Sequence, residues 1–197
     1  MADFLVDELS GLPRPLEGRE VVLFLEPFGF QASTPMDWQK GAENPELSIR
    51  VTGHAMCGRH LHYVLECFLC HGRSTEAKRR PWLEWKASRR LVHLRAGLHD
   101  LVKHYLGSSY KTYFCQIPFA RRLRPAGTTE RLDVWCNRLA CCLSSRLVPP
   151  IVAANVLRLV GAPNLKDCEL PGVTFCDQDD LESTQPEDGD SSDSREV

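Results

Sequence analysis

The spacing of apolar residues along this chain changes once, close to residue 91. Before that point, residues 47–57 alternate loosely in polarity, and residues 61–70 are rich in β-branched, aromatic and cysteine side chains. Residues 82–91 continue the strand-like pattern. The dipeptide Gly58-Arg59 supplies a tight turn, and short sequential strands with tight links favour antiparallel pairing. The sequence therefore predicts a three-stranded antiparallel meander.

After that point the apolar residues recur at helical spacing. The apolar face of the first predicted helix is Leu94, Leu98, Leu101, Val102 and Tyr105, and this helix ends at Gly107. A second helix is predicted to start at residues 128–130, where two threonine hydroxyls and an acid favour a helix N-terminus. Its apolar face is Leu132, Trp135, Leu139, Leu143 and Leu147. Pro149-Pro150 ends it, and residues 151–160 form a third helix. The predicted fold class is α+β, with the sheet packed against a subdomain of three or more helices.

Composition divides the chain into three parts. Residues 1–45 are predicted to be a partly ordered leader with one strand candidate at residues 20–25, which proline and glycine bound on both sides. Residues 46–162 form the domain. Residues 163–197 are predicted to be an acidic, mostly disordered tail, because nine acids and one base lie between Asp177 and the end, with no aromatic residue.

Several function classes receive no support from the sequence. The chain has 197 residues with a net charge of −2, and no apolar run approaches the length needed to cross a bilayer. The first residues are acidic where a signal peptide needs basic ones, so a cytoplasmic location is expected. The nine cysteines are interpreted mainly as buried apolar residues, because their number is odd and the compartment is reducing. No motif for an enzyme or a cofactor is found, and neither is expected.

Positive charge is concentrated in the middle of the chain. Residues 86–131 contain ten Lys or Arg against two acids. Arg89 and Arg90 close the third predicted strand, a cluster at residues 121–124 follows an Ile-Pro step, and Arg131 opens the second predicted helix. A guanidinium group presents a planar fork of donors that matches phosphate oxygens. These separated arginines predict a site for a multiply charged anion.

The order of elements resembles the phox-homology (PX) domain family. That family carries an Arg-Arg-Tyr-x-x-Phe motif where its third strand meets its first helix, and the similar stretch here is residues 89–94 (RRLVHL). Leu91 stands where the family has an aromatic residue. The family's Leu-His pair is similar to Leu98-His99, with a spacing one residue longer. The Pro-containing connector is similar to Ile117-Pro118, and the resemblance covers about residues 46–162.

The resemblance implies a function and a set of site residues. Members of the family bind phosphoinositide headgroups on the cytoplasmic face of endosomal and other membranes. By resemblance, Arg90 of the Arg89-Arg90 pair would hold the 3-phosphate of the inositol ring. Arg121 or Arg122 would hold the phosphate that links the headgroup to glycerol, and Arg131 would bind ring hydroxyls. The implied role is a peripheral membrane-targeting adaptor in trafficking or signalling that recognises a 3-phosphorylated phosphatidylinositol.

Three alternatives remain open from the sequence. The first alternative is a protein-interaction module of the same fold that has lost lipid binding. The second is a basic module that binds nucleic acid, although no specific nucleic acid is expected. Other proteins are possible partners through the leader or the acidic tail. A zinc site, less favoured, would use a cysteine and histidine cluster: His54, Cys57, Cys67, Cys70 and His71.

Overall fold

The predicted antiparallel meander is confirmed in a computed structural model of the chain, which describes residues 12–40, 44–70, 81–120, 127–165 and 174–175. Strands β1 (Glu46–Cys57), β2 (His60–Cys70) and β3 (Pro81–Arg90) pair in sequence order, and each pair is antiparallel. Gly58, in the β1–β2 turn, has a φ of 59°, a left-handed conformation that glycine adopts without strain. Because β1 and β3 are both antiparallel to β2, their C-terminal ends lie at the same end of the sheet.

A short fourth strand extends the sheet beyond the three predicted ones. Strand β4 (Thr174–Phe175) pairs with β3, so that the order across the sheet is β1-β2-β3-β4. It falls within residues 163–197, which the composition predicts to be mostly disordered. The acidic stretch that motivated this prediction, residues 177–197, lies outside the described residues.

Six helices surround the sheet in the described part of the chain. Their bounds are α1, Arg19–Leu25; α2, Pro35–Lys40; α3, residues 91–106; α4, Ser109–Tyr113; α5, Thr128–Ser144; and α6, Pro150–Leu159. Helix α3 follows β3 directly and consists of an α-helical turn, a π-helical segment at Arg95–Asp100 and a final α-helical segment. It ends at Gly107, as predicted.

The strand candidate at residues 20–25 is wrong, because this segment forms helix α1. Val21 and Leu25, four residues apart, are buried, whereas Leu23 between them is 51% exposed. This spacing suits a helix packed on one side, and α1 packs against α6. The β-branched residues favoured a strand in the sequence, but tertiary packing overrides such a local preference.

The rest of the leader also belongs to the domain in its described residues. The amide of Leu16 donates to Asn155 Oδ1 at 2.7 Å, and Asn155 Nδ2 donates back to the Leu16 carbonyl at 3.2 Å. Trp38 Nε1 donates to the Val148 carbonyl at 2.8 Å. Leu16 and Trp38 lie in the same apolar core as the sheet and helices. Packing therefore continues N-terminal to residue 46, where the sequence places the start of the domain.

Helix α5 runs antiparallel to β1 and covers one face of the sheet. Near its C-terminus, the Leu47 amide donates to Ser144 Oγ at 3.3 Å. Closer to its N-terminus, Asp133 accepts from the Val51 amide at 2.8 Å and from Arg50 Nε and Nη2 at 3.0 and 3.2 Å. These contacts place the N-terminus of α5 at the end of the sheet where β1 and β3 both finish.

The Asp133 contacts give a stability prediction. We expect Asp133→Ala to lower the free energy of unfolding by about 1.5–3 kcal/mol, because it leaves the amide of the buried Val51 without its charged acceptor. Arg50→Ala removes only a pair whose guanidinium is largely exposed, and should cost less than about 1 kcal/mol. Urea denaturation of both variants measures the difference. Equal losses would show that the ion pair, and not the amide contact, joins α5 to β1.

Candidate anion-binding site

One row of residues crosses the sheet at the end where β1 and β3 finish. His54, Tyr63 and Arg89 are partners in register across β1, β2 and β3. A β-bulge between Val51 and Gly53 shifts the β1 register by one residue and turns His54 to the helix-covered face. All three side chains of this row therefore lie on the same side as the core.

The first turn of α5 is held on this row by two side-chain contacts. His54 Nδ1 lies 2.9 Å from Thr129 Oγ1. The Tyr63 hydroxyl is hydrogen-bonded to the side chain of Thr128, which is 2% exposed. Burial raises the pKa of Tyr63, so the phenol stays neutral. The predicted start of this helix is confirmed, but its threonine hydroxyls contact the sheet and do not cap the helix.

Gly127 occupies the N-cap position of α5 in a left-handed conformation, with a φ of 70°. A Cβ atom added there would lie 3.7 Å from Arg131 Nη2 and 3.8 Å from Glu130 Oε2. The Arg131 guanidinium therefore lies over the start of the helix. The first amides of a helix lack intrahelical acceptors and carry partial positive charge, so this position adds to the attraction that Arg131 exerts on an anion.

Arg131 belongs to the flank of α5 that faces the helices after β3. It shares this flank with Trp135 and Arg138, four and seven residues further on. Trp135 Nε1 donates to the Tyr110 hydroxyl at 3.1 Å, and Arg138 Nε donates to the Tyr113 carbonyl at 2.6 Å. Since both contacts are with α4, Arg131 faces the α3 and α4 side and not the β1 side.

Arg90 is the last residue of β3 and the N-cap of α3. It is half-buried, and no residue in the described part of the chain forms an ion pair or a side-chain hydrogen bond with its guanidinium. It lies on the opposite side of the ladder from Arg89, because successive strand residues alternate. The structure thus brings Arg90 and the first turn of α5 to the same end of the sheet, with Arg90 on the face opposite the row formed by His54, Tyr63 and Arg89.

Arg89, the other member of the predicted pair, has a structural role. Its Nε donates to the Leu159 carbonyl at 2.6 Å, and its Nη1 donates to the Ser88 carbonyl at 2.9 Å. A cation at the C-terminus of α6 also offsets the negative end of the helix dipole. Burial lowers the pKa of Arg89. We therefore remove Arg89 from the predicted ligand set.

The connector between α4 and α5 enters the site beside α3. The Arg95 guanidinium donates to the Ala120 carbonyl and lies 5.0 Å from the centre of the Phe119 ring. Phe119 also contacts Trp135 of α5, with ring centres 5.1 Å apart. The chain resumes at Gly127 on the N-terminus of α5. Arg121 and Arg122, predicted to bind a phosphate, fall outside the described residues.

The predicted zinc cluster is not brought together by the β1–β2 hairpin. Cys57 is opposite His60 beside the turn, whereas Cys67 is opposite Ile49, so that about seven residues or 23 Å separate the two cysteines. Burial raises the pKa of Cys67 to about 12, which keeps it a thiol and not a metal-binding thiolate. Cys70 lies at the far end of β2, opposite Glu46.

The other predicted members do not restore the cluster. His54 contacts Thr129, and His71 lies outside the described residues. In the part of the chain that the structure describes, no three His, Cys, Asp or Glu side chains are grouped to hold a metal ion.

Sequence reasoning missed the residues that position the site. Tyr63 and Thr128 have no signal in the linear pattern, because their contact depends on the register between β1 and β2 and on the placement of α5 on β1. His62 was also missed; it is the register partner of Arg90. A predicted register for the β2–β3 pairing would have placed His62 opposite Arg90.

No helix among the described residues is long and apolar enough to cross a bilayer. Comparison with known proteins found no matching family model, no matching curated protein and no matching solved structure. A function for this chain therefore rests on the residues of the site itself.

Proposed function

We propose that this protein is a phosphoinositide-binding module that docks reversibly on membranes and binds the phosphorylated inositol ring between Arg90 and Arg131. One observation carries the proposal. Arg90 and Arg131 are half-buried residues at the same end of the sheet, and neither forms an ion pair or a side-chain hydrogen bond within the described part of the chain. The Glu130 carboxylate lies beside Gly127 together with the Arg131 guanidinium, so it is the acid that a bound anion would compete with.

Comparison with other arginines shows why this observation matters. Of the five other half-buried arginines, Arg158 lies close enough to Glu20 to lower the pKa of that carboxyl. The remaining four each donate to a backbone carbonyl: Arg89, Arg95, Arg138 and Arg146. Burying a charged group without a partner is costly, so protein structures normally pair it. A bound phosphate would supply the missing acceptors of Arg90 and Arg131, and charge-assisted hydrogen bonds to phosphate are among the strongest in proteins.

The order of elements supports the same proposal through its likeness to PX domains. Three antiparallel strands lead into a helix at Leu91, and a connector then leads to a helix at Thr128. The π-helical segment Arg95–Asp100 accommodates one extra residue in α3. This accounts for the longer spacing to Leu98-His99 relative to the family pattern. It also leaves Leu98 fully buried.

Each ligand group has a proposed residue. Arg90 binds a phosphate at the 3-position of the ring, and Arg131 binds ring hydroxyls. Arg121 or Arg122 binds the phosphate that links the ring to glycerol. Leu91, which packs partly against the core, offers the ring an aliphatic surface where PX domains offer an aromatic one. A 3-phosphorylated ligand corresponds to endosomal-type membranes and to an adaptor role in trafficking or signalling.

The test is a vesicle screen with the purified full chain. Neutral vesicles each contain one phosphoinositide, and a further set contains phosphatidylserine at matched surface charge. We expect the strongest sedimentation with a 3-phosphorylated species. Equal binding to phosphatidylserine vesicles would mean non-specific attraction, while a folded protein that binds none of them would favour the protein-interaction alternative. Binding to duplex or RNA with a steep salt dependence would favour the nucleic-acid alternative.

A further inference from the structure

His62 stands directly opposite Arg90 in the β2–β3 ladder. Side chains of directly opposed residues share one face of the sheet, with Cβ atoms about 4.5–5.5 Å apart. Both residues are half-buried. The end of the sheet therefore places a histidine directly across the ladder from the arginine that we assign to a phosphate.

The surroundings of His62 are basic or neutral among the described residues. From β1, its register partner is Ala55, and Cys57 lies opposite His60. From β3, Arg90 faces it directly, with Ser88 diagonally adjacent. Helix α3, whose first turn carries Leu91 and the buried His93, packs against β2, and His60 lies on the same face of β2 two residues from His62.

The nearest acid on this face of β2 is already paired. Glu66 lies four residues from His62 and contacts Lys86 Nζ at 2.8 Å. An anion is thus the partner that this His–Arg pair lacks.

We propose that His62 is a further ligand of the phosphate held by Arg90, and that it selects a dianionic phosphomonoester over a monoanionic phosphodiester. This inference rests on the proposed function. Two like charges directly opposite each other in a sheet repel, and an anion bound between them offsets that repulsion. A phosphomonoester carries nearly two negative charges near neutral pH, enough to pair with both an imidazolium and a guanidinium.

The sign of the pH dependence follows from this arrangement. Because the bound dianion stabilises the imidazolium, the complex takes up a proton from solvent when it forms. Affinity should therefore rise as the pH falls through the range in which histidine titrates. The phosphate itself gains a proton near pH 6, which opposes this trend. That effect is common to all variants. The ratio of the affinity of wild type to that of a His62 variant therefore measures the contribution of the imidazole alone.

The experiment compares wild type, His62→Gln and His60→Gln on vesicles that contain phosphatidylinositol 3-phosphate. His60 lies on the same strand and is exposed, which makes it a matched control. At about pH 6 we expect His62→Gln to bind about tenfold more weakly than wild type, the effect of one charge-assisted hydrogen bond. The ratio of wild-type affinity to His62→Gln affinity should fall to about two at about pH 7.5. His60→Gln should follow wild type, and His62→Lys should bind with high affinity at both values.

The outcomes separate the two proposals. Suppose that Arg90→Ala loses binding, while His62→Gln changes neither the affinity nor its pH dependence. The role of His62 is then wrong and the lipid site stands. If wild type binds no phosphoinositide, the proposed function itself fails. A measurement on wild type alone covers the case in which variants do not fold. Saturation with inositol 1,3-bisphosphate should increase the protonated fraction of His62 seen by NMR at neutral pH, and an unchanged fraction would contradict the proposal.

Discussion

Arg90→Ala is expected to weaken binding to vesicles that contain a 3-phosphorylated phosphoinositide by at least about tenfold. A hydrogen bond from a charged donor contributes about 1.5–3 kcal/mol, and Arg90 would make two such bonds to one phosphate. The melting temperature should stay close to that of wild type, since no described residue depends on this guanidinium for a hydrogen bond. Vesicle sedimentation together with thermal melting of the same samples measures both quantities.

Two matched variants separate the site from general electrostatic attraction. Lys103→Ala removes one positive charge from an exposed position on α3 and should change affinity less than about twofold. Arg90→Lys keeps the charge but loses the planar fork, so its affinity should lie between those of wild type and Arg90→Ala. If Lys103→Ala and Arg90→Ala weakened binding equally, the protein would be attracted to the vesicles only through its total positive charge.

Trp135→Ala is expected to cause the largest loss of stability, about 3–5 kcal/mol, as is usual for a buried aromatic residue. Trp135 is 0% exposed. Its ring contacts Phe114 and Phe119 at centroid distances of 5.1 Å each, and its Nε1 donates to Tyr110. Because these residues lie on α4 and the connector, Trp135 holds both against α5. Chemical denaturation should give this loss, with a fall in melting temperature of about 10 °C or more.

Trp135→Phe serves as the control for this prediction. It keeps the aromatic ring near Phe114 but loses the indole donor to Tyr110, so a loss of about 1–2 kcal/mol is expected. A loss below about 1 kcal/mol for Trp135→Ala would contradict the placement of this side chain at the junction of α5, α4 and the connector.

Local patterns predicted most of the fold, and they failed where distant contacts decide the structure. The change from strand-like to helical spacing near Leu91 coincides with the junction of β3 and α3. Helix α1 was missed because its strand-like composition is overridden by packing on α6. Strand β4 was missed because two residues carry no periodicity, and their pairing depends on the edge of β3.

The candidate site was predictable in its charges and not in its geometry. Two adjacent arginines are equivalent in a sequence, but strand alternation directs Arg89 to the Leu159 carbonyl and leaves Arg90 on the other side. Cys57 and Cys67 are close in the sequence, yet the hairpin register separates them. The same register pairs His62 with Arg90. Such cross-strand pairs are set by the register of the assembled sheet, and the spacing of residues along the sequence does not reveal them.

The most direct measurement is an NMR titration of the isotopically labelled full chain with soluble inositol 1,3-bisphosphate, which removes the membrane from the experiment. The account predicts saturable shifts that are largest at the amides of Arg90 and Leu91 and at residues 127–131, together with a side-chain signal from Arg131. These segments are distant in sequence and lie at the same end of the sheet. Absence of saturable shifts, or shifts confined to one of the two segments, would contradict a shared headgroup site between Arg90 and Arg131.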